Sequence, residues 1–209
     1  MRTNECGSVV RRVSAAVVLI LAILASPALA QSADRPVVKV GDQWQFESYY
    51  LAPNQKPNIA WVITSVTPAG IAGTENGAPL TLTSDLNMVE SPRSTNSNAR
   101  LLNFPLERGK KWAFSNDYLQ KDVSYKGRAD MDVAVVGHEK VRVPAGEFDA
   151  FKLEAKGKSG VGGAANPGSS VVTRTYWYAP AARAIVKQET QNPSRGPETI
   201  VLISFKLQP

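Results

Sequence analysis

Between residues 131 and 156 apolar and polar positions alternate almost one for one, and this two-residue period constrains the fold more than anything else in the chain. Met131, Val133 and Val135 fall on one side of an extended segment, with Asp130 and Asp132 on the other. Val141 and Val143 resume the pattern beyond a Val136-Gly137-His138 turn. Phe151, Leu153 and Ala155 then share a face opposite Lys152, Glu154 and Lys156. Successive strand side chains point to opposite faces, so each segment has one dry side and one wet side. A helix would need apolar residues at three- and four-residue spacing, and no ten-residue segment beyond residue 30 sustains that. Short runs of Val, Ile, Thr, Tyr, Phe and Trp, broken by Gly, Pro, Asn and Asp, recur to the end of the chain. The expectation is an all-β domain, a single mostly antiparallel curved sheet that is half-barrel or barrel-like.

The pattern places strands at 44–51, 59–67, 79–83, 86–90, 111–114, 171–178, 184–188 and 199–207, with 91–98 as a polar loop. Ile200, Val201, Leu202 and Ile203 are apolar in succession, which predicts a strand covered on both faces. A loop of small residues at 157–170 joins two strands into a hairpin. Centring it near Ala164 sets Glu154 opposite Arg174 on the wet face and Phe151 opposite Trp177 on the dry face. Such cross-strand pairs contribute about 0.2–1 kcal/mol each.

The first thirty residues read as a secretory leader. Arg2, Arg11 and Arg12 precede an apolar run at 13–24, and Ala28 and Ala30 supply small residues before a cleavage site at Gln31. The run is short for a bilayer span and no second one follows, so cleavage after Ala30 leaves a periplasmic or secreted chain that does not span a membrane. The expected organisation is a leader at 1–30, a tail at 31–43 and one β domain at 44–209. Three of the 24 Lys and Arg and one of the 18 Asp and Glu lie in the leader, which leaves a surplus of four positive charges. These are scattered, whereas nucleic-acid binding calls for a concentrated basic stripe. Cys6, the sole cysteine, also lies in the leader, so the remaining chain has no disulfide, thiolate metal site or cysteine nucleophile.

No catalytic constellation is visible. His138 is the only histidine and sits in an expected turn. Asp130 and Asp132 lack the glycine and distal glutamate of a calcium loop. Glu139, Glu147, Asp149 and Glu154 could supply a carboxylate pair for glycan hydrolysis, but no spacing selects two of them. No metal site and no cofactor are expected. The remaining candidates are aromatic: Trp44, Trp61, Trp112 and the Tyr176-Trp177-Tyr178 run could line a groove, and Trp44, Trp112, Tyr176, Trp177 and Tyr178 are the candidate ligand-binding residues.

Four stretches carry a resemblance: Gly41 to Trp44; Phe104-Pro105-Leu106 with Gly109-Lys110-Lys111-Trp112; the run from Val143-Pro144-Ala145-Gly146 to Phe151-Lys152; and Tyr176 to Pro180 with Ile185-Val186-Lys187. Together they resemble a family of exported proteobacterial β-rich domains of unknown function. The resemblance implies an antiparallel periplasmic fold, akin to the half-barrels that carry lipoproteins between membranes, and supplies no catalytic residues. A glycine usual two residues before Ile-Val-Lys is Arg183 here, which predicts a turn built without positive φ. The functional expectation is a non-catalytic binding protein holding a lipid or other apolar ligand on a concave sheet face. Its alternatives are an assembly subunit meeting an envelope protein partner through a sheet edge, and a carboxylate-based glycan hydrolase.

Overall fold

The computed structural model describes residues 32–49, 58–161, 163, 166–191 and 196–209. The expected leader, Leu51 and the hairpin centre at Ala164 lie outside them. The β-branched and aromatic runs become strands wherever glycine, proline or asparagine allows a reversal. In chain order these are β1 (Ser32–Ala33), β2 (Gln43–Tyr49), β3 (Asn58–Thr67), β4 (Gly70–Glu75), β5 (Ala78–Leu82), β6 (Met88–Glu90) and β7 (Ser94–Asn96). There follow β8 (Leu106–Glu107), β9 (Lys111–Gln120), β10 (Tyr125–Val143), β11 (Gly146–Gly160), β12 (Ser170–Ala179), β13 (Ala184–Gln191) and β14 (Glu198–Lys206). β1 and β8 pair as a small two-stranded sheet. The other twelve form a closed antiparallel barrel, running from β2 through β7, then β9 to β14, with β14 returning to pair with β2. The all-β expectation holds, and the curved sheet closes completely.

Three local expectations are corrected. The Val136-Gly137-His138 segment does not turn the chain; β10 runs through it with a bulge between Val135 and Gly137. The extra residue inverts the alternation, so Val133 and Val135 pack in one cluster and Val141 and Val143 in the other. β11 makes the same change of face without a break and buries Ala150 and Phe151 in succession. Second, the polar segment at 91–98 contains β7, which bridges β6 and β9. Its serines and asparagines show no apolar period because the neighbouring backbones, not a hydrophobic face, define it.

Third, the β11–β12 hairpin is shifted by one residue from the expected register. Phe151 faces Tyr178, Leu153 faces Tyr176, Ala155 faces Arg174, and Lys152 faces Trp177. Tyr176, Tyr178 and Arg174 therefore share the wall of Phe151, Leu153 and Ala155, and Trp177 stands on the opposite wall. The expected face of β11 is kept while that of β12 is inverted. Charge and aromatic pairing were poor guides because both faces of this part of β12 are buried, Tyr176 and Tyr178 on one and Trp177 on the other. β11 also continues through Gly157 to Gly160 instead of ending in a loop.

Candidate functional site

The inner wall follows from the register. On β2, Trp44, Phe46 and Ser48 alternate inward and are buried. Trp44 pairs with Trp61 and Phe46 with Ile59 on β3, and Phe46 stacks edge-on against Trp61 with centroids 5.2 Å apart. From the other side, Gln188 of β13 meets Ile200 of β14, which meets Ser48. Between these walls lies a partly enclosed cavity of about 190 Å3. Its surface is largely apolar, from Phe46, Ile59, Trp61, Leu82, Met88 and Ile200 among others.

Charge enters at defined points. Glu75, at the end of β4, is buried; it accepts the Trp61 indole N–H at 3.0 Å and pairs with Arg93 at 3.3 Å. Arg93 is half exposed, so this ion pair links the cavity lining to solvent. Lower on the lining, Arg183 donates to the fully buried carboxylate of Asp42 at 3.1 Å. Arg183 occupies the left-handed region, φ 51°, and its amide closes the 3-10 turn Pro180–Ala182 onto the Pro180 carbonyl. The expectation of a turn without positive φ is thus corrected: the arginine is held there by its bond to Asp42.

Asp42 explains the Gly41-to-Trp44 stretch. Its carboxylate also accepts the amides of Lys39 at 2.9 Å and Gln208 at 2.7 Å, while the Trp44 indole donates to the Ala182 carbonyl at 2.7 Å. Four sequence positions therefore clasp the start of the barrel, its last residues and the β12–β13 turn.

The five candidate residues separate. Trp44 lines the cavity. Tyr176 and Tyr178 are buried on the inner wall in the cluster with Leu153 and Phe151, beside the cavity lining. Tyr178 packs edge-on against Phe104 at 5.1 Å, and burial raises its hydroxyl above the usual tyrosine range, Arg183 opposing. Trp112 packs against the same cluster and donates to the Arg100 carbonyl at 2.6 Å. Trp177 is on the opposite face of the sheet, buried in the core cluster that includes Trp44, Phe148 and Val186, with Lys187 at 4.7 Å and Lys152 at 5.3 Å from its ring. Its indole N–H donates to Glu139 at 2.7 Å, the main reason that carboxyl ionises below the usual glutamate range.

Phe46, Ile59, Glu75, Leu82, Met88 and Arg93 line the cavity without having been singled out in the sequence. Phe46 was within reach, two residues from Trp44 on the same strand face. Glu75 and Arg93 carried no signal, since they meet only once β4, β5, β6 and β7 have been laid side by side. Of the four candidate carboxylates, Glu139 lies 3.4 Å from Lys152, Glu147 and Asp149 each lie 3.7 Å from Lys140, and Glu154 lies 2.8 Å from Lys156. His138 stands edge-on to Phe151 at 4.8 Å. Among the described residues no group of three His, Cys, Asp or Glu could hold a metal ion, and no helix is long and apolar enough to cross a membrane.

The upper inner wall carries one further cation, Arg174, set between Ala155 and Thr190. The neighbouring Tyr176 phenol, followed by Glu198 and Tyr118, raises its guanidinium above the usual arginine value, against the effect of burial. Its Nε is buried and meets no hydrogen-bond partner.

No protein-family model matches the chain, and no curated protein matches it. Solved structures do. A Bacteroides fragilis protein described as exported and having a YmcC-like fold superposes with a TM-score of 0.52 at 16% identity, over 83% of this chain and 99% of its own. A protein described as a lipoprotein from Parabacteroides distasonis gives 0.50 at 14% identity, over 84% and 100%. The hypothetical lipoprotein YmcC of Escherichia coli gives 0.51 at 10% identity, over 80% and 85%. The chain therefore has a YmcC-like fold.

Proposed function

We propose that this is an exported, non-catalytic binding protein of the bacterial envelope that holds an apolar group inside its barrel. The observation that carries this reading is the cavity of about 190 Å3 walled by Trp44, Phe46, Ile59, Trp61 and Leu82. An apolar cavity of roughly 150 Å3 stays dry and accepts a benzene-sized guest. Packed interiors otherwise leave few voids larger than a water molecule. The volume suits a small apolar molecule or the tail of a larger one. Export is supported by the leader features at residues 1–30 and by the descriptions of the fold neighbours as exported proteins or lipoproteins. An assembly role would have to use the outer wall or the small β1–β8 sheet, since the barrel strands close on one another.

Trp44 and Trp61 report on the cavity directly. Titrating the chain from Gln31 onward with octan-1-ol is expected to change tryptophan emission saturably, and calorimetry should give one site per chain. Unchanged emission together with no heat of binding would overturn the reading.

A further inference from the structure

Three arginines reach the barrel interior, and two are balanced. Arg93 pairs with buried Glu75 at 3.3 Å and Arg183 with buried Asp42 at 3.1 Å. Arg174 differs: the Tyr176 phenol and Glu198 act on its charge, yet its Nε is the one buried side-chain polar atom among the described residues without a hydrogen-bond partner. An unmet buried donor is costly, and more so on a charged group, so such a donor persists where something else meets it.

Its position relative to the cavity is set by the ladder. One inward row runs Leu153, Tyr176, Gln188, Ile200 and Ser48, and the next runs Ala155, Arg174, Thr190 and Glu198. Gln188 and Ile200 belong to the cavity lining. Successive inward residues on a strand are about 7 Å apart, so Arg174 stands one row above the lining. Glu198, the nearest acid in its row, has one carboxylate oxygen occupied by the Ser48 hydroxyl at 3.0 Å. The interior therefore passes from aromatic and aliphatic at Trp44 and Leu82 to polar at Gln188, Thr190 and Arg174.

From this gradient we infer that the ligand is a single-chain amphiphile with an anionic head, its tail in the apolar cavity and its head on the Arg174 guanidinium. The inference rests on the apolar-binding reading above and adds the chemistry of the head group. The buried Nε suits an oxygen of a carboxylate or phosphate, and charge-assisted bonds are about twice as strong as neutral ones.

The experiment compares octanoate and octyl phosphate with octan-1-ol by calorimetry at one ionic strength. In the wild-type protein at least one of the two anions is expected to bind about tenfold or more tighter than the alcohol. Arg174→Gln is expected to bring that anion down to the level of the alcohol, and Arg174→Lys to give an intermediate preference. Equal binding of all three by the wild type would overturn the head-group assignment while leaving apolar binding in place, as would an anion preference that survives Arg174→Gln. If none of the three binds, the apolar-binding reading fails and takes the inference with it. The wild-type comparison is decisive even if the variants do not fold.

Discussion

Arg183 shows how one side chain can carry an unfavourable backbone. A left-handed conformation costs a residue with a Cβ roughly 1–2 kcal/mol, and glycine would avoid it. The arginine stays because its guanidinium is the cation for Asp42, which is fully buried and also holds the amides of Lys39 and Gln208. Arg183→Gly is therefore expected to destabilise the protein despite relieving the backbone. Stranding a buried carboxylate costs about 3 kcal/mol or more, against about 1 kcal/mol regained. Urea denaturation should show a net loss of about 2 kcal/mol, and a gain in midpoint would contradict this account. Asp42→Ala should cost as much again, because it also frees the two amides.

At the scale of the strand, what could be read in advance was the wall assignment of long segments with a steady period. Met131, Val133 and Val135, and likewise Phe151, Leu153 and Ala155, face where their alternation says they should. What escaped was whatever depends on a neighbour in space. The bulge at Val136 reads as a turn because Gly137 and a change of phase look alike in both. The β12 register could not be read from its aromatics because Tyr176, Trp177 and Tyr178 are all buried, so both faces of the strand are covered. Most of the cavity lining was illegible for the same reason: Glu75, Leu82 and Arg93 meet Trp44 only through the register of β2 to β7, and Ile200 joins them only when β14 pairs with β2. Gly157 makes the point sharply. It reads as the first residue of a loop, yet it lies inside β11 opposite Met131, where a Cβ would come within 2.0 Å of the Asp130 carbonyl oxygen. Glycine within a strand marks such a close backbone approach. Gly157→Ala is expected to lower stability by about 1–3 kcal/mol, as overpacking does, and to increase hydrogen exchange at Asp130 and Met131 amides. An alanine variant with unchanged stability would contradict the close contact.

Over the whole molecule, the barrel contrasts a filled side and an unfilled one. The wall of β10, β11 and β12 packs Val133, Leu153, Tyr176 and Tyr178 tightly, whereas the wall of β2, β3 and β5 leaves the cavity. Native packing tolerates few such voids, so filling this one should be benign for folding and harmful to binding. Leu82→Phe is expected to keep or raise the thermal midpoint while weakening octan-1-ol binding at least tenfold. A variant that loses stability and keeps its affinity would place the guest elsewhere.

The pairing of β14 with β2 carries one more consequence. The last stave made is the one that seals the first, so a nascent or translocating polypeptide has nothing to shut the ring until residues 198–206 arrive. Up to that moment β2 and β13 offer bare backbone to any extended peptide nearby, a hazard for aggregation.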